Sequence, residues 1–164
     1  MAGVGKVSFR TLAALAFVEI LMPAAAIAAE PWGEWLVADK TAHIRLVDCH
    51  GALWGVVAWE KDPGVDAKNP DPKKRTRPTL GMPILLGMKP KGRDRWDGAI
   101  YNSENGKTYS GGIRVLDDIR LRITGCVLGF LCGGETWTRT EPAASGGLPG
   151  PDEAICARLD GAKG

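Results

Sequence analysis

The stretch from Trp96 to Tyr109, which reads Trp96-Asp97-Gly98-Ala99-Ile100-Tyr101-Asn102-Ser103-Glu104-Asn105-Gly106-Lys107-Thr108-Tyr109, sets two aromatic-rich runs on either side of an Asn-Gly turn signal. The pattern predicts a β-hairpin. Asn105 and Gly106 tolerate the positive φ that tight turns matched to strand twist require, while Trp96, Ile100, Tyr101 and Tyr109 favour a half-buried pleated surface. This places the chain in the all-β class before any function is considered.

The same alternation recurs along the chain, interrupted by turn signals at Asp39-Lys40, Cys49-His50-Gly51, Lys91-Gly92, Asn105-Gly106 and Asp117-Asp118. Strands are expected at Glu34 to Val37, His43 to Asp48, Leu53 to Glu60, Ile84 to Met88, Arg95 to Asn102, Lys107 to Leu116, Arg120 to Gly125 and Glu135 to Thr140. An antiparallel meander of about eight such strands closes into a small barrel, which removes the edges an open sheet leaves exposed. A two-sheet sandwich is the alternative.

The N-terminus has the three parts of a secretory signal: Lys6 and Arg10 in front, an apolar run from Leu12 to Met22, and small residues leading to a cut after Ala28. A membrane anchor fits less well, because Glu19 interrupts the run and Pro23 ends it. The domain plan is therefore a cleaved signal over residues 1–28, a barrel over 30–140 and a tail over 141–164, and no transmembrane segment remains after cleavage. The expected location is the periplasm or the medium. About 135 residues stay behind, enough for one domain with its own core. Loss of Lys6, Arg10 and Glu19 takes the formal charge from +2 to +1, so nothing global recruits nucleic acid.

Cys49, Cys126, Cys132 and Cys156 all lie in the mature part, and an oxidising compartment favours disulfides. Four cysteines allow three pairings. Spacing prefers Cys126 with Cys132, which leaves Cys49 with Cys156 tying the tail to the barrel body. Zinc is the competing use of Cys49 and the adjacent His50, but the chain has no Cys-x-x-Cys pair, and no cofactor is expected.

The connection from Lys61 to Pro83 breaks the strand rhythm with Pro63, Pro70, Pro72, Pro78 and Pro83 around the run Lys73-Lys74-Arg75-Thr76-Arg77. Loops of this length are usually functional, so it is either a lid or a proline-stiffened connection whose cations are merely solvated. Export turns its positive charge towards anionic head groups or phosphorylated sugars of the envelope. After Thr140 the run Glu141 to Pro151 has the composition of a flexible linker. A short helix over Asp152 to Leu159 follows, acidic first and with Arg158 late, as the helix dipole prefers.

Gly33-Glu34-Trp35 opens the first strand and Trp137-Thr138-Arg139 closes the last. Together they resemble the lipocalin and wider calycin pattern, in which a Gly-x-Trp of the first strand packs near an Arg of the final strand to seal one end of the barrel. That resemblance implies a cation–π stack of Arg139 on Trp35, with both as closure residues. With the middle of the chain included, Asn69-Pro70-Asp71-Pro72, Arg75, Arg77-Pro78, Gly81, Trp96 to Tyr109, Gly125-Cys126 to Cys132 and Thr136 to Arg139 resemble the bacterial domain-of-unknown-function family numbered 2147, over nearly all of residues 33 to 140. What this implies is an exported, lipocalin-like barrel with no established reaction. Trp54 departs from that pattern, standing where exported members often carry a second Cys, and Ser103 stands where a Pro is usual. The first departure removes a local partner for Cys49 and makes Cys156 the more natural one.

Catalytic material is thin. His43 and His50 are the two histidines, and Ser110 sits in Thr108-Tyr109-Ser110-Gly111-Gly112, which lacks the Gly-x-Ser-x-Gly elbow. A dispersed triad of Ser110, a histidine and an Asp is a distant alternative, and no catalytic residue is assigned. Binding has better material: Trp59, Trp96, Tyr101 and Tyr109 as inward wall, with Asp71, Arg75 and Arg77 over the opening. The same aromatics also suit a solid core. The expected function is therefore to hold a small hydrophobic or amphipathic molecule without catalysis; the alternative is an envelope module with a filled core that contacts a glycolipid or protein.

Overall fold

The computed structural model describes residues 30–161 together with Met1 and Gly3. The expected signal sequence otherwise falls outside the described residues. Eight strands follow one another: β1 (Gly33–Leu36), β2 (Ala42–Cys49), β3 (Ala52–Glu60), β4 (Pro83–Pro90), β5 (Arg95–Asn102), β6 (Lys107–Val115), β7 (Arg120–Val127) and β8 (Leu131–Thr140). Each pairs antiparallel with the next, and β1 pairs with β8, so the sheet closes into an up-and-down barrel. Closure leaves no sandwich edge. A single helix, α1 (Asp152–Gly161), follows the barrel.

Alternation along the strands builds two cores. The barrel interior holds Trp35, Ile44, Leu46, Leu53, Leu85, Met88, Trp96, Ile113, Leu121 and Trp137. On the outer face of β2 and β3, Val47, Cys49, Val56 and Ala58 meet Leu148 and the helix residues Ile155 and Leu159. Burial of Ile155 and Leu159 is worth about 1.5–3 kcal/mol each. The Cys49–Cys156 disulfide fixes the same face, while Cys126–Cys132 crosses the β7–β8 hairpin. The run from Glu141 to Pro151, flexible by composition, is held on this wall: Leu148 is buried and donates its N–H to the Ala58 carbonyl at 2.6 Å, and Arg45 donates to the carbonyls of Leu148 and Gly150. Arg45 and His43 both contact buried Glu34.

Two hairpins differ from expectation. The Asn105-Gly106 connection spans four residues between Asn102 and Lys107, and only Gly106 has positive φ, at 70°. Its geometry follows from local hydrogen bonds: the Gly106 N–H donates to the Asn102 carbonyl, and the Asn105 carboxamide accepts the Lys107 N–H at 3.0 Å. The tight two-residue turn occurs instead at His50-Gly51, with φ of 58° and 73° between paired Cys49 and Ala52. The β7–β8 ladder also runs past Gly125 and Glu135, through Cys126 paired with Cys132, to Val127 paired with Leu131. Gly133 and Gly134, which reading by strand propensity excludes, are carried by that pairing.

Candidate functional site: the barrel mouth

One end of the barrel is sealed. The Arg139 guanidinium lies 4.3 Å from the Trp35 ring centroid and donates to the carbonyls of Trp32, Glu30 and Asp118 at 2.5 to 2.6 Å. Trp35, fully buried, donates its indole N–H to the Pro31 carbonyl at 2.7 Å. Trp32 then meets Trp96 edge-on, with ring centroids 6.3 Å apart. Arg139 thus ties the segment that enters β1 to the β6–β7 turn and to its own strand.

The other end gathers the β1–β2, β3–β4, β5–β6 and β7–β8 connections, as the up-and-down order requires. Here the barrel holds an open cavity of about 480 Å³. Ile44, Val57, Met82, Ile100, Ile123 and Trp137 form its apolar walls. Asp39, Glu60, Glu104 and Glu135 stand among its lining, and that lining includes no lysine, arginine or histidine. Two of the carboxylates are held in place: Glu135 accepts the Trp137 indole N–H, and Glu60 accepts the Thr79 hydroxyl at 2.5 Å. Asp39 closes its own turn, accepting from the Thr41 hydroxyl and N–H, and those bonds hold its carboxyl below the usual range. The volume is that of a site for one small molecule.

Beside the mouth, the β3–β4 connection is a docked structure. Asp66 is completely buried in it and accepts from Tyr101 at 2.6 Å, from Asn69 at 2.6 Å and from Arg77 at 2.7 and 3.0 Å. Burial works to raise the Asp66 carboxyl, but the hydrogen bonds from Tyr101, Asn69 and Arg77 and the charge of Arg77 together hold it below its ordinary value. Tyr101 is pushed up by burial, reinforced by the neighbouring Asp66 carboxylate. Asp71 caps a short 3-10 turn (Pro72–Lys74) by accepting the Lys73 N–H, and Arg75 donates to the Asn69 carbonyl.

Of the residues singled out in the sequence, Tyr101 and Tyr109 border the cavity. Trp96 does not; it lies towards the sealed end with Trp32. Asp71, Arg75 and Arg77 organise the β3–β4 connection internally and are not among the cavity lining. Trp59 leaves the interior because the β2–β3 register shifts between His43 and Ile44, and its ring packs on His43 with centroids 4.9 Å apart. Trp96 and Tyr101 both belong to the interior cluster but stand near opposite ends of β5. The Tyr101 hydroxyl reaches Asp66. Glu135 and Trp137 share the parity of Arg139 on β8, and that alternation was the signal that marks them as inward.

Among the described residues, the histidines and Ser110 are not brought together. His43 is bound to Glu34, exposed His50 to Asp160 at 2.9 Å, and Ser110 lines a separate groove with Asp97, Arg114 and Arg122. Cys49 is in a disulfide, and no group of three or more His, Cys, Asp or Glu placed to hold a metal occurs among the described residues. No helix among them is long and apolar enough to cross a membrane.

Comparison with known proteins agrees with this geometry. No curated protein matches the chain. Among solved structures, protein HP1028 from the human pathogen Helicobacter pylori, described as belonging to the lipocalin family, superposes with a TM-score of 0.63 at 21% identity, covering 80% of this chain and 90% of its own. The closed barrel is thus lipocalin-like in fold. Residues 33–139, which span every strand but the last residue of β8, match the family described as an uncharacterized protein conserved in bacteria, DUF2147, and the chain belongs to that family.

Proposed function

We propose that this is an exported binding protein that holds one small hydrophobic or amphipathic molecule in the barrel mouth, without catalysis. The cavity carries the reading: about 480 Å³ with aliphatic walls, an indole and two phenol rings, and carboxylates and hydroxyls among its lining. A barrel sealed at one end by Arg139 and open at the other is a cup, suited to burying an apolar body while leaving a polar head at the surface. Two disulfides support export, since such bonds persist in oxidising compartments. The periplasm or the medium is the corresponding location. Native mass spectrometry of protein purified from its own envelope tests the reading: a retained small molecule supports it, and bare protein that takes up nothing from an envelope lipid extract rejects it.

One observation favours a second reading, an envelope interaction module. The β7–β8 tip exposes Val127, Leu128, Phe130 and Leu131 together, with Leu128 at 78% and Phe130 at 71% exposure. Clustered apolar side chains on a hairpin tip suit a contact with another surface. In that reading the tip, rather than the cavity, is the element whose removal abolishes activity.

A further inference from the structure

The sign of the charge around the mouth narrows the ligand class, and this step rests on the cavity reading above. We infer that the bound molecule carries a positively charged head on its apolar body, as a long-chain amine or quaternary ammonium compound does. Glu60, Glu104 and Glu135 line the opening, and no cationic side chain stands among the lining residues to neutralise them. The orientation of two of them is fixed from within the site, Glu135 by the Trp137 indole and Glu60 by the Thr79 hydroxyl. Each of those bonds engages one donor, and a carboxylate has lone pairs for more.

The aromatic groups act in the same direction. Tyr109 and Trp137 border the same space, and ring faces attract a desolvated cation. An anionic head placed here meets like charge at the rim and has no lysine or arginine in the lining to offset it. Of the basic residues of the β3–β4 connection, Arg77 is paired with Asp66 and Arg75 donates to the Asn69 carbonyl, while Lys61, Lys68, Lys73 and Lys74 are exposed and stand outside the lining. A fatty acid, the default guest for an apolar cup, is therefore disfavoured, and an uncharged head gains nothing from the rim.

Three dodecyl compounds separate the possibilities: dodecyltrimethylammonium, dodecanoate and dodecyl maltoside, each titrated calorimetrically into the full-length purified protein below its critical micelle concentration. The expected result is binding of the cationic compound at least about tenfold tighter than the other two, weakening with added salt. Glu135→Gln and Glu104→Gln each narrow the gap between the cationic compound and dodecyl maltoside, and Glu104 at the exposed rim is the variant least able to disturb folding. Equal affinities, or a preference for dodecanoate, overturn the charge inference and leave the cavity reading standing. Absence of binding by all three overturns both.

Discussion

The Tyr101 hydroxyl donates to Asp66 Oδ1 at 2.6 Å, joining strand β5 to the middle of the long β3–β4 connection. Asp66 is wholly buried, so its charge persists only because Tyr101, Asn69 and Arg77 surround it. This contact makes the connection a part of the wall beside the mouth. Tyr101→Phe leaves a buried carboxylate short of one donor and is expected to cost about 1–3 kcal/mol in chemical denaturation. Faster amide hydrogen exchange should then be confined to residues 64–79.

The same site predicts a pH dependence. The folded-state pKa of Asp66 lies below its unfolded value, so the folded state binds that proton less readily than the unfolded chain. The resulting stability is present above the ordinary aspartate value and is lost as pH falls through the folded value. For Tyr101 the folded pKa is raised, so stability declines once pH rises past the ordinary tyrosine value. Denaturation midpoints measured across pH should fall on both sides of neutrality, and Asp66→Asn should flatten the acid side while lowering stability at neutral pH.

Gly106 approaches the same connection from the β5–β6 hairpin. Its φ is 70°, and a Cβ there would lie 1.9 Å from the Lys68 carbonyl oxygen. Gly129, at φ 78°, has open space around the equivalent position. Gly129→Ala therefore reports backbone strain alone, about 1–2 kcal/mol. Gly106→Ala adds a backbone collision and should destabilise by more than Gly129→Ala, a difference readable from thermal melts of the two variants.

At the sealed end, Arg139 stacks on Trp35 and bonds three carbonyls with one planar group. A lysine cannot reproduce that fork. Arg139→Lys is expected to lose about 2 kcal/mol or more, close to Arg139→Ala, when the two are compared by urea denaturation. A lysine variant as stable as the parent would show that charge alone suffices.

The tail depends on its disulfide. Cys156→Ser removes a link closing a loop of sequence separation 107 and should cost about 2–5 kcal/mol, with α1 exchanging its amides before the barrel does.

The strands were legible because alternation is a local property: β5 and β6 follow directly from Trp96 to Tyr109, and the lipocalin-like closure from Trp35 and Arg139. The site was legible only in part. Trp59, Trp96 and Tyr101 were grouped as inward aromatics; Trp96 and Tyr101 are in the interior cluster, but a register shift turns Trp59 outward and Trp96 stands away from the mouth. Neither a register shift nor a residue's depth along the barrel is visible from composition. Arg77 and Asp71 looked free to face a ligand because their partners, Asp66 and the Lys73 N–H, are chosen by the path of the folded connection. Glu60 and Glu135 carried no motif at all and become notable once the barrel brings β3 and β8 to one mouth.

The central claim, occupancy of the barrel mouth, is tested most directly by methyl-labelled nuclear magnetic resonance of the protein titrated with an envelope lipid extract. Binding in the cup predicts saturable shifts at the methyl groups of Ile44, Ile100 and Ile123, which line the cavity, while Val56 and Ile155 on the outer wall stay unmoved. Shifts confined to Leu128 and Leu131 at the exposed hairpin tip, with the cavity methyls unchanged, would contradict it.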